Sequence, residues 1–197
     1  MRAATRRMFV AGPAGRIECA LDTPEGPPVG GALIAHPHPL YGGTLDNKVV
    51  QTLARAFLEL GYQTWRPNFR GVGESEGAHD AGRGEVEDLA SVLQAMPFER
   101  KLLAGFSFGA AMQVKLAARA APEKLVLVGL AVTAHELPPA PQGTLVIHGE
   151  KDTTIALAAV LDWARPQDLP VVVVPDADHF FHRKLHVLRG IVSASCS

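Results

Sequence analysis

Cysteine is scarce. The chain holds two, Cys19 and Cys196, near its opposite ends. They form no C-x-x-C pair, no zinc-ligand spacing and no disulfide framework, which excludes a stapled scaffold and predicts two free thiols in a reducing compartment. A basic excess is also missing. Lys plus Arg number 19 against 20 Asp plus Glu, for a formal net charge of −1. With no surplus to neutralise phosphates, a dedicated nucleic-acid binder is not expected. No apolar stretch approaches the roughly 18 residues of a membrane span. The first residues carry arginines, as a secretion signal does. The apolar run Met8–Ala11 stops at Gly12 and Pro13, well short of a signal core of about 7–15 residues. Cytoplasmic residence is therefore expected. No internal repeat or low-complexity linker divides the chain.

What remains is an ordinary globular composition, 47% hydrophobic and 20% charged over 197 residues. That is too apolar for disorder and is the length of about one domain, expected over residues 1–197. Short β-rich runs alternate with helical patterns, the mark of a parallel sheet with crossover helices. Strands are predicted at Arg16–Leu21, Gly30–Ala35, Tyr62–Phe69, Lys101–Phe106, Lys124–Val132, Thr144–His148 and Val171–Val174. Apolar residues from Val49 to Leu58 recur at helical spacing, with Asp46 or Asn47 placed to cap them and Gly61 to end them. Further helices are predicted at Glu85–Met96, Phe108–Ala121, Ile155–Ala164 and Phe180–Ser193. Phe108–Ala121 is apolar nearly all round, so it is expected to be buried. The expectation is α/β and doubly wound, with about seven strands, about six helices, and ligand chemistry on loops at the strands' carboxyl ends.

The strongest local signal lies on such a loop. Gly105-Phe-Ser-Phe-Gly109 fits G-x-S-x-G between a predicted strand and a predicted helix. A serine at the apex of so tight a turn is exposed to substrate, and the helix N-terminus beside it offers free N–H groups to an oxyanion. A serine hydroxyl is a weak nucleophile and needs a base, which in turn needs an orienting acid. On this kind of turn the order is serine, acid, histidine. Asp152 follows the strand ending at His148, and His179 follows the strand ending at Val174. All three candidates thus fall on one rim. Asp176, Asp178 and Glu150 compete with Asp152 as the acid. Asp178 adjoins His179, and neighbouring side chains in an extended segment point apart.

The segments Gly105–Gly109, His148-Gly-Glu-Lys-Asp152 and Ala177-Asp-His-Phe-Phe181 resemble the nucleophile, acid and histidine loops of the α/β-hydrolase superfamily. His36-Pro-His-Pro-Leu-Tyr-Gly-Gly43 and Asn68–Gly77 are similar to its small, lidless bacterial serine hydrolases. The resemblance runs from about Arg16 to the C-terminus and implies an α/β-hydrolase fold. It implies a backbone oxyanion donor just after Ala35, to join the N–H of Phe108. Pro37 and Pro39 have no N–H, which leaves His38 or Leu40, and His38 is preferred. Related enzymes often insert a cap after the strand ending at Val132. Here only Thr133–Gln142 join it to the next strand, so an open site is expected.

The resulting expectation is a serine hydrolase for small carboxylic esters, with Ser107, His179 and Asp152 as its triad. The N–H groups of Phe108 and His38 hold the oxyanion, and neither cofactor nor metal is required. A thioesterase, a peptidase or a non-hydrolytic receptor on the same scaffold stays open. So does a metal hydrolase built on His36 and His38, although no second pair with ligand spacing accompanies them. Gly71–Gly77 fails as a dinucleotide fingerprint, because Glu76 stands where the last glycine belongs. His148 and His182 are expected to be structural.

Overall fold

The computed structural model describes residues 5–197; the first four, part of the arginine-bearing start, lie outside the described residues. Eight described strands form one sheet: β1 (Arg6–Gly12), β2 (Gly15–Asp22), β3 (Gly30–Ala35), β4 (Tyr62–Pro67), β5 (Lys101–Phe106), β6 (Lys124–Val128), β7 (Leu145–Gly149) and β8 (Val171–Val174). Their order is β1-β2-β4-β3-β5-β6-β7-β8. β2 runs antiparallel to β1 and β4, and every other neighbouring pair is parallel. Five α-helices accompany the sheet: α1 (Lys48–Glu59), α2 (Gly84–Ala95), α3 (Phe108–Ala120), α4 (Leu157–Ala164) and α5 (Leu185–Ser195).

The doubly wound arrangement follows from the strand sequences. All six residues of β3 are buried, as are the last five of β5, the continuous apolar run of a strand covered on both faces. Successive side chains alternate between those faces. Ile34 and Ala104 meet Val50, Leu53 and Phe57 of α1 and Leu188 and Val192 of α5. Leu33 and Leu103 share the opposite core with Val86 and Leu89 of α2, Val114 of α3 and Val160 of α4. Asn47 caps α1 as its sequence suggests, its Oδ1 accepting from the N–H groups of Val49 and Val50.

The structure corrects several boundaries. The described residues form an eighth strand, β1, and five α-helices rather than about six. β1 forms a hairpin with β2 in which Val10 faces Ile17. Its alternation is faint because Phe9, on the outer face, is also apolar and is 45% exposed. β6 stops at Val128, four residues early, because Gly129 turns the chain with φ 54°. α5 starts at Leu185 rather than Phe180, since Phe181 and Arg183 adopt left-handed φ values of 54° and 60° that no α-helix accommodates. No cap follows β6; the link to β7 contains no helix or strand. No described helix is long and apolar enough to cross a membrane.

The chain visits β3, moves outward to β4, and returns to place β5 on the other side of β3. That reversal opens a crevice between the carboxyl ends of β3 and β5, where an open α/β sheet binds its ligands.

Candidate active site

Ser107 sits at the crevice, at the turn from β5 into α3, with φ 55° and ψ −116°. A non-glycine residue is held in so strained a backbone only when its surroundings fix it. Here they do. The Ser107 N–H donates to Val128 O at 2.9 Å, and its carbonyl accepts from the N–H groups of Ala111 and Ala131. The flanking glycines are steric requirements. A Cβ on Gly105 would lie 2.5 Å from Ala110 N, and one on Gly109 would lie 2.4 Å from the carbonyl oxygens of Ala35 and His36. Either contact would push α3 away from β3 and β5.

Because β5, β7 and β8 are parallel, their following loops emerge on one edge. The loops after β7 and β8 are laced together: Lys151 N–H donates to Ala177 O, Glu150 N–H to Val174 O, and Asp176 N–H to the Glu150 carboxylate. This brings Asp152 to His179. His179 Nδ1 lies 2.6 Å from Asp152 Oδ2, and His179 Nε2 lies 3.1 Å from Ser107 Oγ. An ionised carboxylate only accepts, so Nδ1 carries the proton and Nε2 turns its lone pair to the serine hydroxyl. Burial alone would raise the Asp152 pKa. The His179 hydrogen bond and the Ile155 N–H outweigh it and hold the carboxyl below its ordinary value. Asp152 Oδ1 accepts from the N–H groups of Thr154 and Ile155, both at 2.8 Å, so its carboxylate is fixed from both sides.

The competing carboxylates are engaged elsewhere. Asp178 binds His182 Nδ1 at 2.6 Å on the surface, Asp176 pairs with Lys151, and Glu150 accepts from Asp176 N–H. His148 is buried, and its Nε2–H donates to Ile155 O at 2.9 Å while lying 3.5 Å from Asp152 Oδ2. It braces the acid loop from inside the sheet. Phe106 is buried with its ring 4.9 Å from that of His179, and Phe180, 46% exposed, meets the same imidazole edge-on at 5.2 Å.

The β3 loop divides the two histidines of its H-x-H. His36 is fully buried. Its Nδ1–H donates to Pro37 O at 2.6 Å, and its Nε2 accepts the Phe69 N–H at 2.9 Å. Both nitrogens are occupied, Nε2 in tying the end of β3 to the loop after β4 and Nδ1 within its own loop. Burial pushes its pKa down from 6.5 to about 4. Between those values an unfolded chain takes up a proton that the native chain refuses. Stability is therefore complete above about pH 6.5 and falls as pH drops toward 4, by about 3 kcal/mol for this group. His38, His135 and His148 are shifted down as well, chiefly by burial, and act with the same sign. A urea-unfolding midpoint that falls steadily on acidification through this window is expected, with a flatter profile for His36→Gln. A midpoint that is constant or rises would contradict this.

His38 remains half-exposed. Its Nδ1 accepts the Leu40 N–H at 3.3 Å, which occupies the other candidate donor of the loop. Among the described residues, the His38 N–H itself has no acceptor. Phe108 opens α3, where first-turn N–H groups lack intrahelical acceptors. Two further imidazoles join the rim without having been singled out in the sequence. His79 and His135 lie in the loops after β4 and β6, with ring centroids 5.7 and 5.3 Å from that of Phe108. The parallel order was their available signal, since a loop after any parallel strand ends on this edge. The Gly71–Gly77 loop is a turn fastened to β2, with Glu76 N–H on Arg16 O and Glu74 N–H on Glu18. A groove of about 860 Å³ on another part of the surface, lined by Asp22, Arg55, Arg66 and Arg189, contains none of Ser107, Asp152 or His179.

Comparison with known proteins agrees with this architecture. A family model described as the alpha/beta hydrolase fold matches residues 40–142. The crystal structure of XC6422 from Xanthomonas campestris, described as an α/β serine hydrolase without a lid, superposes with a TM-score of 0.90 at 35% identity, over 99% of this chain and 94% of that one. An α/β serine hydrolase homologue from Coxiella burnetii gives 0.88 at 36% identity, over 98% and 97%. Uncharacterized protein RP471 of Rickettsia prowazekii is 32% identical over 90% of this chain and 83% of its own length. With its sheet order, its strained serine turn and these likenesses, the chain belongs to the α/β-hydrolase family.

Proposed function

We propose that the protein hydrolyses small carboxylic esters through Ser107, His179 and Asp152. The observation that carries this reading is the continuous line from Asp152 through His179 to a strained Ser107, with bonds of 2.6 and 3.1 Å. Ser107 Oγ attacks the ester carbonyl while His179 Nε2 takes its proton. Asp152 holds the imidazole in the required tautomer and stabilises the imidazolium. The carbonyl oxygen turns into the N–H groups of Phe108 and His38, each typically worth about 10²–10³ in rate. His179 returns the proton to the leaving alcohol, and water releases the acyl group by the same route. These steps ask for no metal or cofactor. The link between β6 and β7 carries no helical cap, which suits a short acyl group better than a long chain needing enclosure.

A fluorophosphonate probe, with the adduct mapped by mass spectrometry, tests the nucleophile. The expected result is a single adduct on Ser107 in the folded protein, loss of ester turnover in step with labelling, and no adduct after denaturation. Turnover that survives complete labelling would overturn the assignment. Binding of esters without turnover would favour a receptor on the same scaffold.

A further inference from the structure

Beside the proposed oxyanion donors, imidazoles from two different loops pack together, their planes tilted by 46°. The rings of His38 and His79 lie 5.0 Å apart, and both flank the Phe108 ring, at 4.9 and 5.7 Å. Their partners fix their tautomers. His38 Nδ1 accepts the Leu40 N–H, so the proton sits on Nε2. His79 Nδ1 is buried and lies 2.8 Å from Glu85 Oε1, an ion-pair contact rather than a hydrogen bond. Two lone pairs would repel at that distance, so Nδ1 carries a proton, and in the neutral ring Nε2 keeps its lone pair. Glu85 is itself fully buried and anchored by the N–H groups of Asp80 and Gly82. The carboxylate that sets the His79 tautomer is therefore fixed in place.

The pair thus presents one donor, His38 Nε2–H, and one acceptor, His79 Nε2. Among the described residues neither atom has a hydrogen-bond partner, and neither is among the buried unpartnered atoms. A carboxylate or phosphate would satisfy the first and oppose the second. A hydroxyl satisfies both, because it accepts and donates through one oxygen. The backbone N–H of His38 is a proposed oxyanion donor, which places its ring next to the chain that flanks the scissile carbonyl. His135 also packs on Phe108, with its ring centroid 5.3 Å away.

We propose that His38 and His79 form a hydroxyl-recognition subsite, so that the preferred esters carry a free hydroxyl close to the scissile carbonyl. This rests on the serine-hydrolase reading above. The hydroxyl belongs either to the acyl chain or to a polyol leaving group. Matched substrate pairs distinguish them: ethyl lactate against ethyl propionate and ethyl β-hydroxybutyrate against ethyl butyrate for the acyl side, and glyceryl monobutyrate against propyl butyrate for the alcohol side. The expected result is a kcat/KM ratio of about tenfold or more in favour of the hydroxylated member on one side, the effect of about two net hydrogen bonds. His79→Phe, which keeps a ring but removes the acceptor, brings that ratio toward one. His79→Gln, which restores an acceptor, recovers part of it and serves alone if the phenylalanine variant fails to fold. Ratios near one on both sides, with ordinary Ser107-dependent turnover of the plain esters, would overturn the subsite and leave the serine hydrolase standing. A preference that persists in both variants would overturn the role of His79. If no ester is turned over and no probe labels Ser107, the underlying reading fails and the subsite with it.

Discussion

Ser107→Ala is expected to lower kcat on a small ester by about 10⁶-fold, the scale at which removal of a triad nucleophile acts. The loss is this large because the rest of the apparatus has nothing to activate. His179 Nε2 would face a methyl group, and the Phe108 and His38 N–H groups would stabilise only attack by unactivated water. Folding should survive. The serine hydroxyl contributes one hydrogen bond, to His179, worth about 1 kcal/mol net. The unusual φ of 55° is imposed through the backbone bonds to Val128, Ala111 and Ala131, which alanine keeps. A sharper form of the prediction uses non-additivity. If Ser107 and His179 act as one unit, the double variant with His179→Ala should be no slower than either single variant. Steady-state rates, with thermal melts to certify folding, measure both. Activity within tenfold of the parent protein, or strictly additive losses, would refute the mechanism.

Much of this architecture was legible in the sequence for a simple physical reason. Strands buried on both faces are written as unbroken apolar runs, so β3, β5 and β6 announced themselves, and a parallel sheet sends their following loops to one edge. The candidate residues Ser107, Asp152 and His179 could therefore be placed on one rim before any coordinate. What local pattern could not supply was pairing at a distance. Four carboxylates remained possible partners for His179, because the choice depends on hydrogen bonds between the loops after β7 and β8. β1 was missed because both of its faces carry apolar residues. The first residues of the closing helix were misjudged because Phe181 and Arg183 have side chains that suit a helix, while the loop that delivers His179 demands left-handed backbone there. His79 and His135 carried only the weak signal of lying in loops after parallel strands, and Glu85, on the first turn of α2, acquires meaning only when His79 is brought against it.

The choice among those carboxylates leads to the second large effect. Asp152→Asn should reduce kcat by about 10⁴-fold while leaving the loop in place. The asparagine Oδ1 can still accept from Thr154 and Ile155, so the backbone turn persists. Its amide nitrogen then faces His179 Nδ1, where a donor requires a lone pair. The imidazole responds by carrying its proton on Nε2, and an N–H replaces the base that Ser107 needs. The fault lies in proton placement, so substrate binding should change much less than kcat. Asp178→Asn is the control. Asp178 contacts His182 at the surface, and its replacement should alter kcat by less than about twofold, in line with the small worth of exposed ion pairs. Both variants take a carboxylate from an imidazole, one buried at His179 and one exposed at His182. A large loss at position 178 together with a small one at position 152 would mean that the loops rearrange in solution and that the acid had been assigned to the wrong strand.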